Sequence, residues 1–337
     1  MVEFIEEWTA KIQAGDRRAM ARAISAIEKG EPQYVLLLKK LFPLARRATI
    51  IGVTGSPGTG KSTLVEKLAA AYRRAGSQVG ILAVDPTSPF SGGAILGDRV
   101  RMQSLSTDEG IYIRSMATRG RLGGLAPATE DAVTILESAG YDTVMIETVG
   151  VGQDEVEVAS LVDVTLLLLT PVMGDDVQVF KAGVMEIADI FVINKADHAG
   201  ADRMAQEINA MLSLSPSRGH WRPPIIKTVA TTGQGIEDLL QAVGEFHSCA
   251  ERSSLWKDRE REKWRLRLLQ LLRQKLFERV IHSALNDHEI TKHVDQILER
   301  RTDPHTVIEA ILQGVPQPAE LDSASPAGNP PRDERMS

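Results

Sequence analysis

The stretch GSPGTGKS, Gly55 to Ser62, fits G-x-x-x-x-G-K-[ST] at every position. It follows an apolar run and precedes a helical pattern, the setting in which such a loop wraps phosphate groups. Glycines let backbone N–H groups close around phosphate oxygens, so Gly55, Ser56, Pro57, Gly58, Thr59 and Gly60 would form a cradle that Thr63 continues. Lys61 can reach the β- and γ-phosphates, and the Ser62 hydroxyl can ligate Mg²⁺. A glycine-rich turn between a strand and a helix, with no ligand, is the bland alternative.

A second motif bears on which base the phosphates carry. NKAD, Asn194 to Asp197, directly follows the apolar run DIFVI. The Asp197 carboxylate can accept from guanine N1–H and from the 2-amino group, donors that adenine does not offer. Losing such a paired contact in a buried site is costly, so selectivity can be high. Lys195 would lay its stem along the base, and Asn194 would tie this loop to the phosphate loop. Four such residues could also cap a helix around a solvated lysine. Their position, one strand–helix unit after the strand expected to lead into a switch, favours guanine. Further on, TVATTGQG supplies a loop whose backbone near Ala230 could meet guanine O6.

Between these motifs lie acids suited to a hard cation. Asp85 ends ILAVD, Asp98 sits in ILGDRVRM, and Glu147 ends VMIE, with Gly150 close behind. Mg²⁺ prefers octahedral oxygen ligands and keeps several waters, so one hydroxyl and one or two carboxylates suffice. The candidate metal set is therefore Ser62, Asp85, Asp98 and Glu147. Asp85 could instead cap a strand end, and Asp98 could be a solvated loop carboxylate. Ordinary GTPases carry Asp at the D-x-x-G position, where this chain has Glu147. Gly150 would offer its N–H to a γ-phosphate, making its flanks sensitive to hydrolysis. Gln153 could position water, or equally serve as a hinge or interface residue. Lys61, Glu147, Gly150 and Gln153 are the catalytic candidates.

The elements that must hold these residues follow from periodicity. Residues 1–45 place apolar side chains at three- and four-residue spacings, as in FIEEWTAKI, RRAMARAISAIEKG and QYVLLLKKLFPLA, and predict helices. From Ala48 the runs TIIGVTG, QVGILAVD, GIYIRS, DTVMIETVG, DVTLLLLTP, IADIFVINKAD and PIIKTVA alternate with helical segments. Several are continuously apolar, as strands covered on both faces must be. That alternation predicts an α/β fold with a mainly parallel sheet and ligands at the carboxyl ends of its strands. Beyond Ile236 the chain is helical again, with a long helix over about 255–285. In it Trp264, Leu268, Leu271, Leu272, Lys275 and Leu276 mark an apolar stripe, while the charges cover other faces. This helix could pack on its own domain or against a second subunit. Residues 314–337, rich in Pro, Ser and charge, are expected to be disordered.

Composition narrows the partners. A net charge of −6 over 337 residues argues against nucleic acid, although Arg252 to Arg279 carries ten Lys/Arg against four Asp/Glu. Cys249 is the only cysteine, which leaves no disulfide framework and no cysteine cluster for a metal. The seven histidines are scattered without ligand spacing. The acidic, amphipathic N-terminus lacks the layout of a secretory signal, and no apolar run approaches the roughly 18–20 residues needed to cross a bilayer. A cytoplasmic protein without a membrane partner is expected.

DPTSPFSGGAILGDRVRM, TRGRLGG, ETVGVGQDEVEV and NKAD, in this order after the phosphate loop, resemble the MeaB/ArgK family of GTPases, which includes the human methylmalonic aciduria type A protein. The resemblance covers roughly residues 15–310. It implies a P-loop NTPase of the SIMIBI class, G3E-like, with a helical extension at 1–45 and a GTPase domain at 46–249. A helical dimerisation arm at 250–313 and hence a homodimer are also implied. Members of that family chaperone adenosylcobalamin-dependent acyl-CoA mutases, methylmalonyl-CoA mutase by default, using Mg²⁺ and GTP/GDP. Lys61 and Ser62 match the family's phosphate-loop lysine and metal hydroxyl. Asp85, Asp98 and Glu147 match its metal-site acids, and Asn194, Lys195 and Asp197 its base-reading set. GDDVQVFKAG matches an additional switch, with Asp175, Gln178 and Lys181 at positions that signal to the mutase. The chain departs from the family pattern in PVMGDD and at Val179 and Phe180, and RSMATRGRLGG differs from the common serine-rich form, which bears on partner identity more than on nucleotide chemistry. A nickel-insertion GTPase and a kinase linked to basic amino-acid transport are the competing expectations.

Overall fold

The computed structural model describes residues 2–85, 105, 107–117, 126–148, 159–171, 186–214, 221–253, 255–284 and 287–313. The chain divides into two compact units, Met1–Leu268 and Leu269–Ser337.

In the first unit, each of the seven apolar runs forms a strand: β1 (Thr49–Gly55), β2 (Val79–Asp85), β3 (Ile111–Ala117), β4 (Thr143–Thr148), β5 (Val164–Leu169), β6 (Ile190–Asn194) and β7 (Ile225–Thr228). They make one sheet in the order β3-β2-β4-β1-β5-β6-β7, with every pairing parallel. β4, β5 and β6 are buried along their whole length, which explains why they read as unbroken apolar runs rather than alternating ones. The order reverses at β1: the chain first builds outward on one side and returns through β4, then continues on the other through β5. Ligands of such sheets bind outside the carboxyl ends of the strands at that reversal.

Helices cover both faces. α4 (Lys61–Arg74) and α7 (Ile236–Arg252) bury Leu64, Leu68, Leu239 and Phe246 on one face. On the other, α5 (Ala126–Ser138) packs with the N-terminal helices α1 (Val2–Gln13), α2 (Arg17–Lys29) and α3 (Gln33–Leu41). α6 (Ala201–Leu214) covers β5 and β6.

α2 shows how local chemistry sets these boundaries. Asp16 caps it by accepting from Arg18 N and Ala19 N at 2.8 and 2.9 Å, and Gly30 ends it in the left-handed conformation. Met20, Ile24 and Ile27, spaced by four and three, are fully buried, worth about 1.5–3 kcal/mol each relative to exposure. Arg114 of β3 pairs with Glu28 of α2, joining the helical layer to the edge of the sheet. The third N-terminal helix stops at Leu41; Pro43 then permits only a short 3₁₀ turn, Phe42–Leu44.

In the long helix α8 (Leu255–Ala284) a basic side chain is buried where most of the apolar stripe is not. Leu268, Leu272 and Leu276 are more than half exposed, whereas Arg267 is buried. Arg267 is inside because Glu130 and Asp131 of α5 await it at 3.0 and 2.6 Å. Trp264 meets Phe42 edge-on, with ring centroids 5.3 Å apart. The second unit contains the end of α8, α9 (Asp287–Leu298) and α10 (Pro304–Gln313).

Candidate functional site

The phosphate-loop sequence occupies the turn between β1 and α4, at the carboxyl edge of the sheet. Gly55, Gly58 and Gly60 have φ of +143°, +82° and +93°, a backbone path that side chains rarely adopt. A Cβ on Gly55 would fall 2.2 Å from the Leu168 carbonyl of β5, and one on Gly60 would fall 2.5 Å from Asn194 Nδ2. The cradle is therefore shaped by its neighbours as well as by its own glycines. Lys61, at the first turn of α4, is buried, and its Nζ donates to the carbonyls of Gly55 and Ser56 at 2.8 and 3.1 Å. Its charge thus lies over the concave side of the loop.

Ser62 and Glu147 come from positions 85 apart in the chain. Glu147 of β4 pairs in register with Val53 of β1, so its carboxylate reaches the start of α4. Ser62 Oγ donates to Glu147 Oε1 at 2.6 Å, and Glu147 is buried. A hydroxyl and a carboxylate this close are a hard oxygen pair that suits Mg²⁺. One residue further along the same two strands, Thr148 Oγ1 donates to Thr54 Oγ1 at 3.1 Å, tying the ends of β4 and β1 together. Periodicity gave no sign of that hydroxyl pair.

The NKAD residues arrive from β6 on the other side of β1. Asn194, 2% exposed, joins three segments. Its Nδ2 donates to the Thr59 carbonyl in the phosphate loop at 2.8 Å. Its Oδ1 accepts from Ala230 N and from Thr228 Oγ1, both at 3.1 Å. Lys195 adopts the left-handed conformation, φ +56°, and donates from Nζ to the Gly58 carbonyl at 2.8 Å. Asp197 is exposed. Thr59 O and Thr228 Oγ1 are junction members that the motif alone did not single out.

Thus the structure brings together Gly55 to Thr63, Glu147, Asn194, Lys195 and Ala230 at one edge of the sheet. Asp85 closes β2 on the same edge, its side chain lying outside the described residues. Asp98, Gly150, Gln153, Asp175, Gln178 and Lys181 also lie outside them. Among the described residues, no helix is long and apolar enough to cross a membrane.

Comparison with known proteins places this geometry in a lineage. The family described as "Methylmalonyl Co-A mutase-associated GTPase MeaB" matches residues 20–285. A Pyrococcus abyssi protein named as a GTPase is 44% identical over 314 residues, covering 92% of this chain and 97% of its own. GTPase ArgK of Escherichia coli is 33% identical, with 87% and 90% covered. The mouse methylmalonic aciduria type A homolog, mitochondrial, is 37% identical, with 72% of this chain and 63% of its own covered. A solved structure titled LAO/AO transport system kinase shares the fold, at TM-score 0.67 and 24% identity over 92% of this chain and 96% of its own. The phosphate loop, the NKAD junction and the extent of these matches agree, and the chain belongs to the MeaB family of P-loop GTPases.

Proposed function

We propose that this GTPase acts in the cytoplasm as a chaperone for an adenosylcobalamin-dependent acyl-CoA mutase, methylmalonyl-CoA mutase in the first instance. On this reading, GTP binding and hydrolysis time the loading of the mutase's cofactor and its protection or reactivation. The observation that carries the proposal is the match to a mutase-associated GTPase family over residues 20–285. The name of the mouse relative supports it.

The residues then take these parts. The loop Gly55 to Thr63 wraps the phosphates with backbone N–H groups, at the N-terminus of α4, where the helix dipole favours negative charge. Lys61 exchanges its two carbonyl acceptors for phosphate oxygens, a charge-assisted contact roughly twice as strong as a neutral one. Asp197 reads guanine, Lys195 flanks the base, and Asn194 with Ala230 holds the base-reading loop in register with the phosphate loop. Ser62 and Glu147 would hold Mg²⁺, with Asp85 and Asp98 as further ligands; the ion would neutralise charge on the β- and γ-phosphates. Gly150 and Gln153 belong to the hydrolysis switch, and Asp175, Gln178 and Lys181 to the signal passed to the mutase.

A helical extension at 1–45, a GTPase domain at 46–249 and a dimerisation arm at 250–313 complete the reading. The exposed leucines of α8 support an arm that pairs with a second copy. The experiment is calorimetric titration of the full chain with candidate mutases, in GDP and in a nonhydrolysable GTP analogue. Binding that differs between the two nucleotides is expected. No binding to any cobalamin-dependent mutase in either state overturns the proposal.

A further inference from the structure

Far from the nucleotide edge, charged side chains join the first half of α8 to the rest of the first unit, beside the Trp264–Phe42 ring contact. Arg259 donates to Asp189 at 2.9 Å, just before β6, and Arg47 donates to Glu260 at 3.1 Å. Between these contacts lies a cavity of about 640 Å³, lined by Glu130, Glu137, Asp163, Lys263 and Trp264 among others. At its far end two adjacent carboxylates, Glu130 and Asp131, share one guanidinium. Arg267 Nε lies 3.0 Å from Glu130 Oε2, and Nη2 donates to Asp131 Oδ1 at 2.6 Å. Arg267 and Glu130 have 6% and 10% of their side chains exposed. Arg267 Nη1 and both Glu130 carboxylate oxygens are buried without a hydrogen-bond partner among the described residues, so Glu130 meets the guanidinium as an ion pair alone.

Two buried carboxylates on one cation leave excess negative charge, and a partly satisfied buried network is costly. The surroundings do not cancel it. Lys263, one turn before Arg267 on α8, faces Glu130 but also Glu137 and Asp163. Arg47 and His247 face Asp163 from the segment before β1 and from α7. Arg267 is also the last buried contact before the first unit ends at Leu268.

We propose that Arg267, Glu130 and Asp131 form a proton-gated clasp: it holds the first half of α8 on α5 while the carboxylates share a proton, and loosens that contact when both are ionised. The triad thereby sets how firmly the base of the α8 helix is held, independently of the nucleotide chemistry at the opposite edge. Burial pushes the Asp131 carboxyl up to about 6, and the Glu130 carboxyl also upward, against the opposing pull of Arg267.

Hydrogen exchange of the α8 amides at 257–267, in the full chain and corrected for intrinsic exchange rates, tests the clasp, with the amides of β1 and β5 as the internal reference. If Asp131 titrates near 6 when docked and near 3.8 when released, protection of these amides should be about tenfold greater at pH 5 than at pH 8. Glu130→Gln and Asp131→Asn each remove the excess charge and should flatten that dependence while leaving protection at pH 8 at least as high as in the parent. Protection of α8 that does not change with pH overturns the clasp, as does a pH dependence that survives in both variants.

Discussion

Asn194→Ala is the sharpest perturbation of the site, because one side chain holds three segments together. Alanine removes the donor to Thr59 O at 2.8 Å and the acceptor used by Ala230 N and Thr228 Oγ1 at 3.1 Å. The Thr228 hydroxyl can rotate toward another acceptor, but the Thr59 carbonyl and the Ala230 N–H cannot, and the position is only 2% exposed. At about 1–2 kcal/mol for each stranded backbone group, the variant should lose about 2–4 kcal/mol of unfolding free energy. Where nucleotide binding needs both loops in register, a loss of about 3 kcal/mol appears as roughly a hundredfold weaker GDP. Urea denaturation of the free protein and calorimetric titration with GDP measure the two parts. Lys195→Ala is the internal comparison for stability: it removes a single, exposed contact to Gly58 O and should cost less than about 1 kcal/mol. If Asn194→Ala stays within about 0.5 kcal/mol of the parent and keeps its GDP affinity within about threefold, the junction does not act as argued.

Asp131 has its folded value raised, so its stabilising contribution is present in full below about 4 and is lost as pH rises through about 6. Between pH 5 and pH 8 the parent should therefore lose about 1.4 kcal/mol relative to Asp131→Asn, read as the change in the gap between their urea midpoints. Gly55→Ala would press a Cβ to within 2.2 Å of the Leu168 carbonyl at φ +143°, and its urea midpoint should report a loss of at least about 3 kcal/mol. Asp197→Asn should reduce the preference for GTP over ATP by about tenfold or more in a competition titration, and an unchanged preference would refute the base assignment. Glu147→Gln keeps an acceptor for the Ser62 hydroxyl but removes its charge. It should raise the Mg²⁺ concentration needed for half-maximal GTP turnover by about tenfold, while metal-free GDP binding stays as it was.

Much of the fold was legible because its signals are local. Uninterrupted apolar runs such as VTLLLL mark strands covered on both faces, and a glycine-rich loop followed by Lys61 and Ser62 marks the turn into α4. The three- and four-residue spacing of Met20, Ile24 and Ile27 marks the buried face of α2. What could not be read was anything set by pairing across distance. No periodicity places β4 beside β1, yet that register is what carries Glu147 to Ser62. Nor did the alternation of charges in α8 distinguish Arg267 from its solvated neighbours, since that depends on Glu130 and Asp131, more than 130 residues earlier.

The sequence by itself determined the chemistry on offer, because a phosphate cradle and a guanine-reading carboxylate need particular residue types at short, fixed spacings. The tertiary structure decided which of those groups meet. Asn194 reaches Thr59 across 135 positions, and Arg267 is drawn inside a helix stripe that hydropathy assigned to leucine. The physical reason is the same in both cases: a buried polar group is tolerated only where partners are supplied, and those partners come from distant parts of the chain.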